Sequence, residues 1–63
     1  MTLLEVVNKY NSSEVDKVIL DYSGDVEEYE SLEEFEEEIT NAGIDDEEVS
    51  SYKFRNNVLT IKM

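Results

Sequence analysis

The chain has 63 residues, 17 of them acidic and 5 basic, for a net charge of −12, and it contains no His, Cys or Pro. That length accommodates one small domain with a thin core. The missing cysteines exclude a disulfide framework and a thiolate nucleophile, and the missing histidines remove the commonest general base and metal ligand.

Thr2-Leu3-Leu4-Glu5 is a capping box, in which the Thr hydroxyl and the Glu carboxylate each serve the other residue's backbone N–H. Leu3, Leu4, Val6, Val7 and Tyr10 then suit a short helix ending near Asn11-Ser12-Ser13. Val15 to Tyr22 is rich in β-branched residues and predicts a strand, with Val18, Leu20 and Tyr22 on one face and Lys17, Ile19 and Asp21 on the other. Ser23-Gly24-Asp25 is turn chemistry. A second strand, about Val26 to Glu30, returns and brings Tyr29 near Leu20.

Ser31-Leu32-Glu33-Glu34 reads as a second capping box and opens the main helix. At 100° per residue, Leu32, Phe35, Ile39 and Ala42 gather on one side; Glu33, Glu34 and Glu37 lie opposite, with Glu36 and Glu38 on the flanks. Gly43 suits a left-handed C-terminal stop that folds Ile44 back to the core. In the last segment Asn56-Asn57 separates two alternating runs and predicts a two-residue hairpin, because Asn tolerates positive φ. Its register sets Phe54 opposite Leu59 and Tyr52 opposite Ile61. The order α-β-β-α-β-β predicts an α+β fold: a small two-layer αββαββ domain with an antiparallel four-stranded sheet and the helices on one face.

Charge is segregated along this frame. Residues 18–52 hold 14 acids and no base, whereas residues 49–63 hold Lys53, Arg55 and Lys62 and no acid. The pairs Glu30/Glu34, Glu33/Glu37 and Glu34/Glu38 stand at i,i+4, where like charges each destabilise a helix by roughly 0.2–0.5 kcal/mol. Interleaved lysines would relieve them, and the chain has none there. Carboxylates about 5–6 Å apart along such a face approximate the phosphate array that basic proteins read on nucleic acid. The candidate partner-binding residues are therefore Glu27, Glu28, Glu30, Glu33, Glu34, Glu37 and Glu38, followed by Asp45, Asp46, Glu47 and Glu48.

The Asp25–Glu38 run and the Asp45–Glu48 cluster, carried on a compact frame, resemble the small acidic DNA-mimic inhibitors of phages and mobile elements, the anti-CRISPR and anti-restriction proteins. The likeness is one of charge and size, with no family motif matched residue by residue. It implies a stoichiometric inhibitor without catalysis of its own, acting in the cytoplasm of a bacterial cell. The implied partner is a basic nucleic-acid-binding protein such as a CRISPR nuclease or a restriction enzyme.

Other chemistries fit less well. Direct binding to nucleic acid or anionic lipid is disfavoured because both are polyanions. The longest apolar run, Val18-Ile19-Leu20, is far too short to span a membrane. Asp21 to Glu27 has alternating oxygen ligands but not the glycine and terminal glutamate of a calcium loop, so no cofactor or metal is expected. The alternative function is a structural or adaptor module whose acids serve only solubility, with the sheet face or an open strand edge as the interface of any homodimer.

Overall fold

The computed structural model describes residues 1–63. It contains α1 (Leu3–Val7), β1 (Lys17–Tyr22), β2 (Asp25–Tyr29), α2 (Leu32–Ala42), β3 (Ser51–Arg55) and β4 (Val58–Lys62). The Thr2 capping box is complete: the Glu5 N–H donates to Thr2 Oγ1 at 3.2 Å, and the Thr2 N–H donates to Glu5 Oε1 at 2.9 Å. These bonds, that from the Thr2 backbone first, hold the Glu5 carboxyl below the ordinary carboxylate range. At Ser31 only one arm of the expected box forms, the Glu34 N–H donating to Ser31 Oγ at 3.0 Å.

α1 is shorter than its apolar pattern suggests. It stops at Val7, after which Lys9 and Tyr10 make tighter backbone turns back to Val6 and Val7. Tyr10 leaves the helical path and packs on Phe54, with ring centroids 4.8 Å apart. A 3₁₀ turn over Ser12–Glu14 follows, with Glu14 Oε1 accepting from the Asn11 N–H at 3.0 Å.

The first hairpin is tighter than expected. Ser23 (φ 54°) and Gly24 (φ 97°) form its two-residue turn, and Asp25 already pairs with Tyr22. Tyr29 therefore faces Val18, while Leu20 faces Glu27. The second hairpin has the expected register, Phe54 opposite Leu59 and Tyr52 opposite Ile61, around Asn56 (φ 53°) and Asn57 (φ 63°). Two consecutive left-handed residues match the twist of the flanking strands.

The sheet order is β2-β1-β4-β3, and β1 pairs with β4 in parallel, so the sheet is mixed and the expectation of an antiparallel one is corrected. The cause lies in α2. Its 11 residues rise about 16 Å, which carries the chain back toward the end where β2 began. β3 then enters in the direction of β2, and β4 necessarily runs with β1. The two most apolar strands, β1 and β4, take the centre, and the charged β2 and β3 take the edges.

One cluster of 11 buried side chains forms the core: Leu3, Val6 and Val7 of α1, Val15, Val18 and Leu20, Leu32, Phe35 and Ile39 of α2, and Leu59 and Ile61 of β4. Ala42, expected beside Phe35 and Ile39, is exposed in the last turn of α2. Gly43 closes that helix at φ 73°, and the Ile44 N–H reaches back to the Ile39 carbonyl at 3.0 Å. Ile44 packs against the core, as the stop motif requires.

Candidate partner-binding surface

Burial of Leu32, Phe35 and Ile39 fixes the rotation of α2 and leaves Glu33, Glu34, Glu36, Glu37 and Glu38 exposed. None of the five is in a salt bridge; the molecule's two ion pairs, Met1 amine–Glu48 at 2.7 Å and Lys17–Glu28 at 3.0 Å, lie elsewhere. Glu33, Glu36 and Glu37, with Thr40 and Asn41, line a wide, open surface concavity of about 400 Å³. The helix begins at Leu32, so the Glu30/Glu34 repulsion expected from an i,i+4 spacing is not a helical pair. Glu33/Glu37 and Glu34/Glu38 are.

The acidic run from Asp25 to Glu38 does not form one surface. Strand alternation turns Glu27 to the sheet face of Leu20 and turns Glu28 to the opposite face with Ile19, where Lys17 neutralises it. Glu27, Glu34 and Glu38 instead converge around Tyr29, whose ring meets Phe35 edge-on at 5.1 Å. Glu30, between β2 and α2, is exposed and unpaired.

The second cluster is largely engaged within the molecule. The carbonyls of Asp45 and Glu47 accept from the Leu4 and Leu3 N–H groups, both at 3.0 Å, and so satisfy orphan donors at the start of α1. The Glu47 carboxylate accepts a hydrogen bond from the Tyr22 hydroxyl, and Glu48 holds the Met1 amine. Thr2 and Glu48 form an isolated antiparallel bridge, extended by the Val49 N–H to the Met1 carbonyl at 2.8 Å. Of the four acids, Asp46 alone is exposed with no ion pair or side-chain hydrogen bond. Residues 45–48 thus clamp α1 as well as carrying charge, a role that depends on backbone carbonyls and left no mark in the residue types. No set of three or more acids converges in a metal-binding arrangement.

The four tyrosines are half-buried and pack against the core. The Tyr29 phenol is raised above its ordinary value of 10, first by burial and then by the negative field of Glu27, Glu38 and Glu34. Burial likewise leads at Tyr10, and the Glu47 hydrogen bond leads at Tyr22. A phenol whose folded value is raised contributes stability that is complete below its unfolded value and lost as pH rises through the folded one. Alkaline unfolding is therefore expected to begin above about pH 10 and to coincide with tyrosine ionisation followed by ultraviolet absorbance. Converting Glu34 and Glu38 to Gln is expected to lower the Tyr29 value and leave Tyr10 unchanged, as read by NMR titration. Equal shifts at both rings would show that the local field is not the cause.

No family model, curated protein or solved structure matches this chain. No helix is long and apolar enough to cross a membrane.

Proposed function

We propose that the protein is a non-catalytic inhibitor that occupies the basic nucleic-acid groove of a nuclease or other DNA-binding protein. A single observation carries this reading: five exposed glutamates stand on one short helix, anchored by three buried side chains, with no base paired to any of them. In the proposed two-layer arrangement both helices cover the sheet face bearing Val18, Leu20, Leu59 and Ile61. The acids of α2 then look away from the sheet, and a partner meets them as a rigid array of negative charge. Glu27 and Glu30 extend the array, and Asp46 adds a further charge. Glu28, Glu47 and Glu48 contribute less, because each is already held inside the molecule.

The array has an energetic cost that supports a functional origin. Two like-charge i,i+4 pairs cost about 0.4–1 kcal/mol together, in a domain whose whole stability is a few kcal/mol. Glu33 and Glu34 are favoured near the helix N-terminus, whereas Glu37 and Glu38 lie past the first turn.

The test is capture of purified CRISPR nucleases and restriction enzymes on the immobilised protein, with and without excess duplex DNA and over a salt series. A nuclease that binds, is displaced by DNA and weakens steeply with salt is the expected result. Capture indifferent to DNA would place the interface away from the groove. An adaptor whose acids serve only solubility would capture none of these enzymes.

A further inference from the structure

The sheet face away from the core is the one surface where bases outnumber acids. Strand alternation places Lys17, Ile19 and Asp21 of β1 there, with Val26 and Glu28 of β2, Val58, Thr60 and Lys62 of β4, and Ser51, Lys53 and Arg55 of β3. None of these residues is buried, and Val26 is 61% exposed. The middle of the face is Ile19, Val58 and Thr60, all half-buried, and the charges surround them. The face is also polarised: every acid is on the β2–β1 half, while Lys53, Arg55 and Lys62 are on the β4–β3 half.

We propose that this face binds a second copy of the same chain, sheet to sheet, about a twofold axis parallel to the strands. Such an axis, lying over the β1–β4 boundary, lays β2 of one copy over β3 of the other and β1 over β4. The registered rows then bring opposite charges together. Glu28, Ile19, Thr60 and Lys53 share one row across the sheet, so Glu28 of each copy, ion-paired with Lys17 of its own chain at 3.0 Å, gains Lys53 of the other as a second basic neighbour, and Ile19 lies over Thr60. In the next row Asp21 lies over Lys62, which is its partner on the neighbouring strand within one chain. Two sheets pack about 10 Å apart, a gap that Lys and Glu side chains bridge while their stems cover the apolar centre.

The charge arrangement selects this mode over others available to a chain of net charge −12. Helix-to-helix contact would press glutamates on glutamates. Placing α2 of one copy on the sheet of another would set five acids against an incomplete set of bases and leave carboxylates unpaired. The twofold sheet contact sets Glu28 against Lys53 and Asp21 against Lys62 in both directions, with Lys17 and Arg55 left without a cross-copy acid, and it leaves α2 outside the interface. In a molecule of 24 × 21 × 19 Å, one face projects only about 500 Å², so both together approach about 1,000 Å², the lower bound for a specific interface. The dimer is accordingly expected to be reversible and sensitive to salt.

Sedimentation equilibrium over a protein-concentration and salt series tests this directly. The unmodified chain should dimerise, and K53E or E28K should each weaken the dimer by about tenfold or more, since symmetry turns both attractive contacts into repulsive ones. Mixing the two single variants one to one should give a heterodimer. One of its two contacts is then the native pair, Glu28 of the K53E chain on Lys53 of the E28K chain, and the other is the same pair with its signs exchanged. Both positions are exposed, and circular dichroism checks that each variant is folded. A monomer at all concentrations overturns the proposal. So does a dimer that either variant leaves intact, or a pair of variants that remains monomeric on mixing. DNA-competed capture of a nuclease by α2 is independent of every one of these outcomes.

Discussion

Replacing Glu37 and Glu38 with lysine is expected to raise the melting temperature and, at the same time, to weaken capture of a basic partner by at least about tenfold. The two effects share one cause. In the native helix Glu33/Glu37 and Glu34/Glu38 repel; with lysine at the second position each becomes a Glu-to-Lys i,i+4 pair in the favourable orientation. Converting two repulsions into two attractions is worth about 1 kcal/mol, or about 4–8 °C in a domain of this size. Reversing Glu33 and Glu34 as well should abolish binding, whereas single Glu→Ala changes should do little, since each removes one exposed charge from a distributed array. Because the double variant is more stable than the parent, lost binding cannot be ascribed to unfolding. If the acids of α2 serve only solubility, the double variant will be stabilised and its partner binding unchanged. Thermal melts beside calorimetric titration of a captured partner separate the two.

Phe35→Ala is expected to unfold the domain at room temperature. Phe35 is fully buried at the centre of the core and carries the edge-on contact with Tyr29. Truncation of a buried Phe costs about 3–5 kcal/mol through lost transfer energy and the residual cavity. A domain of 63 residues without cysteines to form a disulfide seldom holds more than about 3–5 kcal/mol in all. The variant should therefore show no cooperative thermal transition by circular dichroism. Ser13→Ala, at an exposed position of the 3₁₀ turn outside both proposed surfaces, is the control and should melt like the parent. A cooperative Phe35→Ala transition near the parental temperature would mean that the core does not depend on this ring.

The acidic surface and the proposed dimer face occupy different parts of the molecule, and this separation gives the two proposals a common physical logic. A chain with such an excess of negative charge repels its own copies through every surface except the one where its bases collect. With that face engaged, each copy of α2 points outward, and two acidic helices are presented by one assembly. A partner with two basic grooves at suitable separation would then gain from effective concentration as well as from each contact.

Much of the fold was legible because its signals are local. The Thr2–Glu5 box, the Gly43 stop and the Asn56-Asn57 turn each depend on residues within a few positions of one another, and each forms as its chemistry demands. The apolar spacing of Leu32, Phe35 and Ile39 likewise determined which glutamates of α2 meet solvent. What the residue order alone left open was how the two hairpins meet. Turn chemistry sets register inside a hairpin and is silent on the direction of the next one; the return path through α2 made β1 and β4 parallel. The same tertiary choice decided the fate of the acids outside α2. Strand alternation sent Glu28 to Lys17, and the docking of α1 drew Glu47 and Glu48 into contacts with Tyr22 and the Met1 amine. The sequence by itself therefore determined that this protein is acidic, without histidine or cysteine ligands, and built on an amphipathic helix. Only the tertiary structure decided which carboxylates remain free, because pairing across 25 or 47 positions of chain depends on where distant elements pack, and no local pattern encodes that.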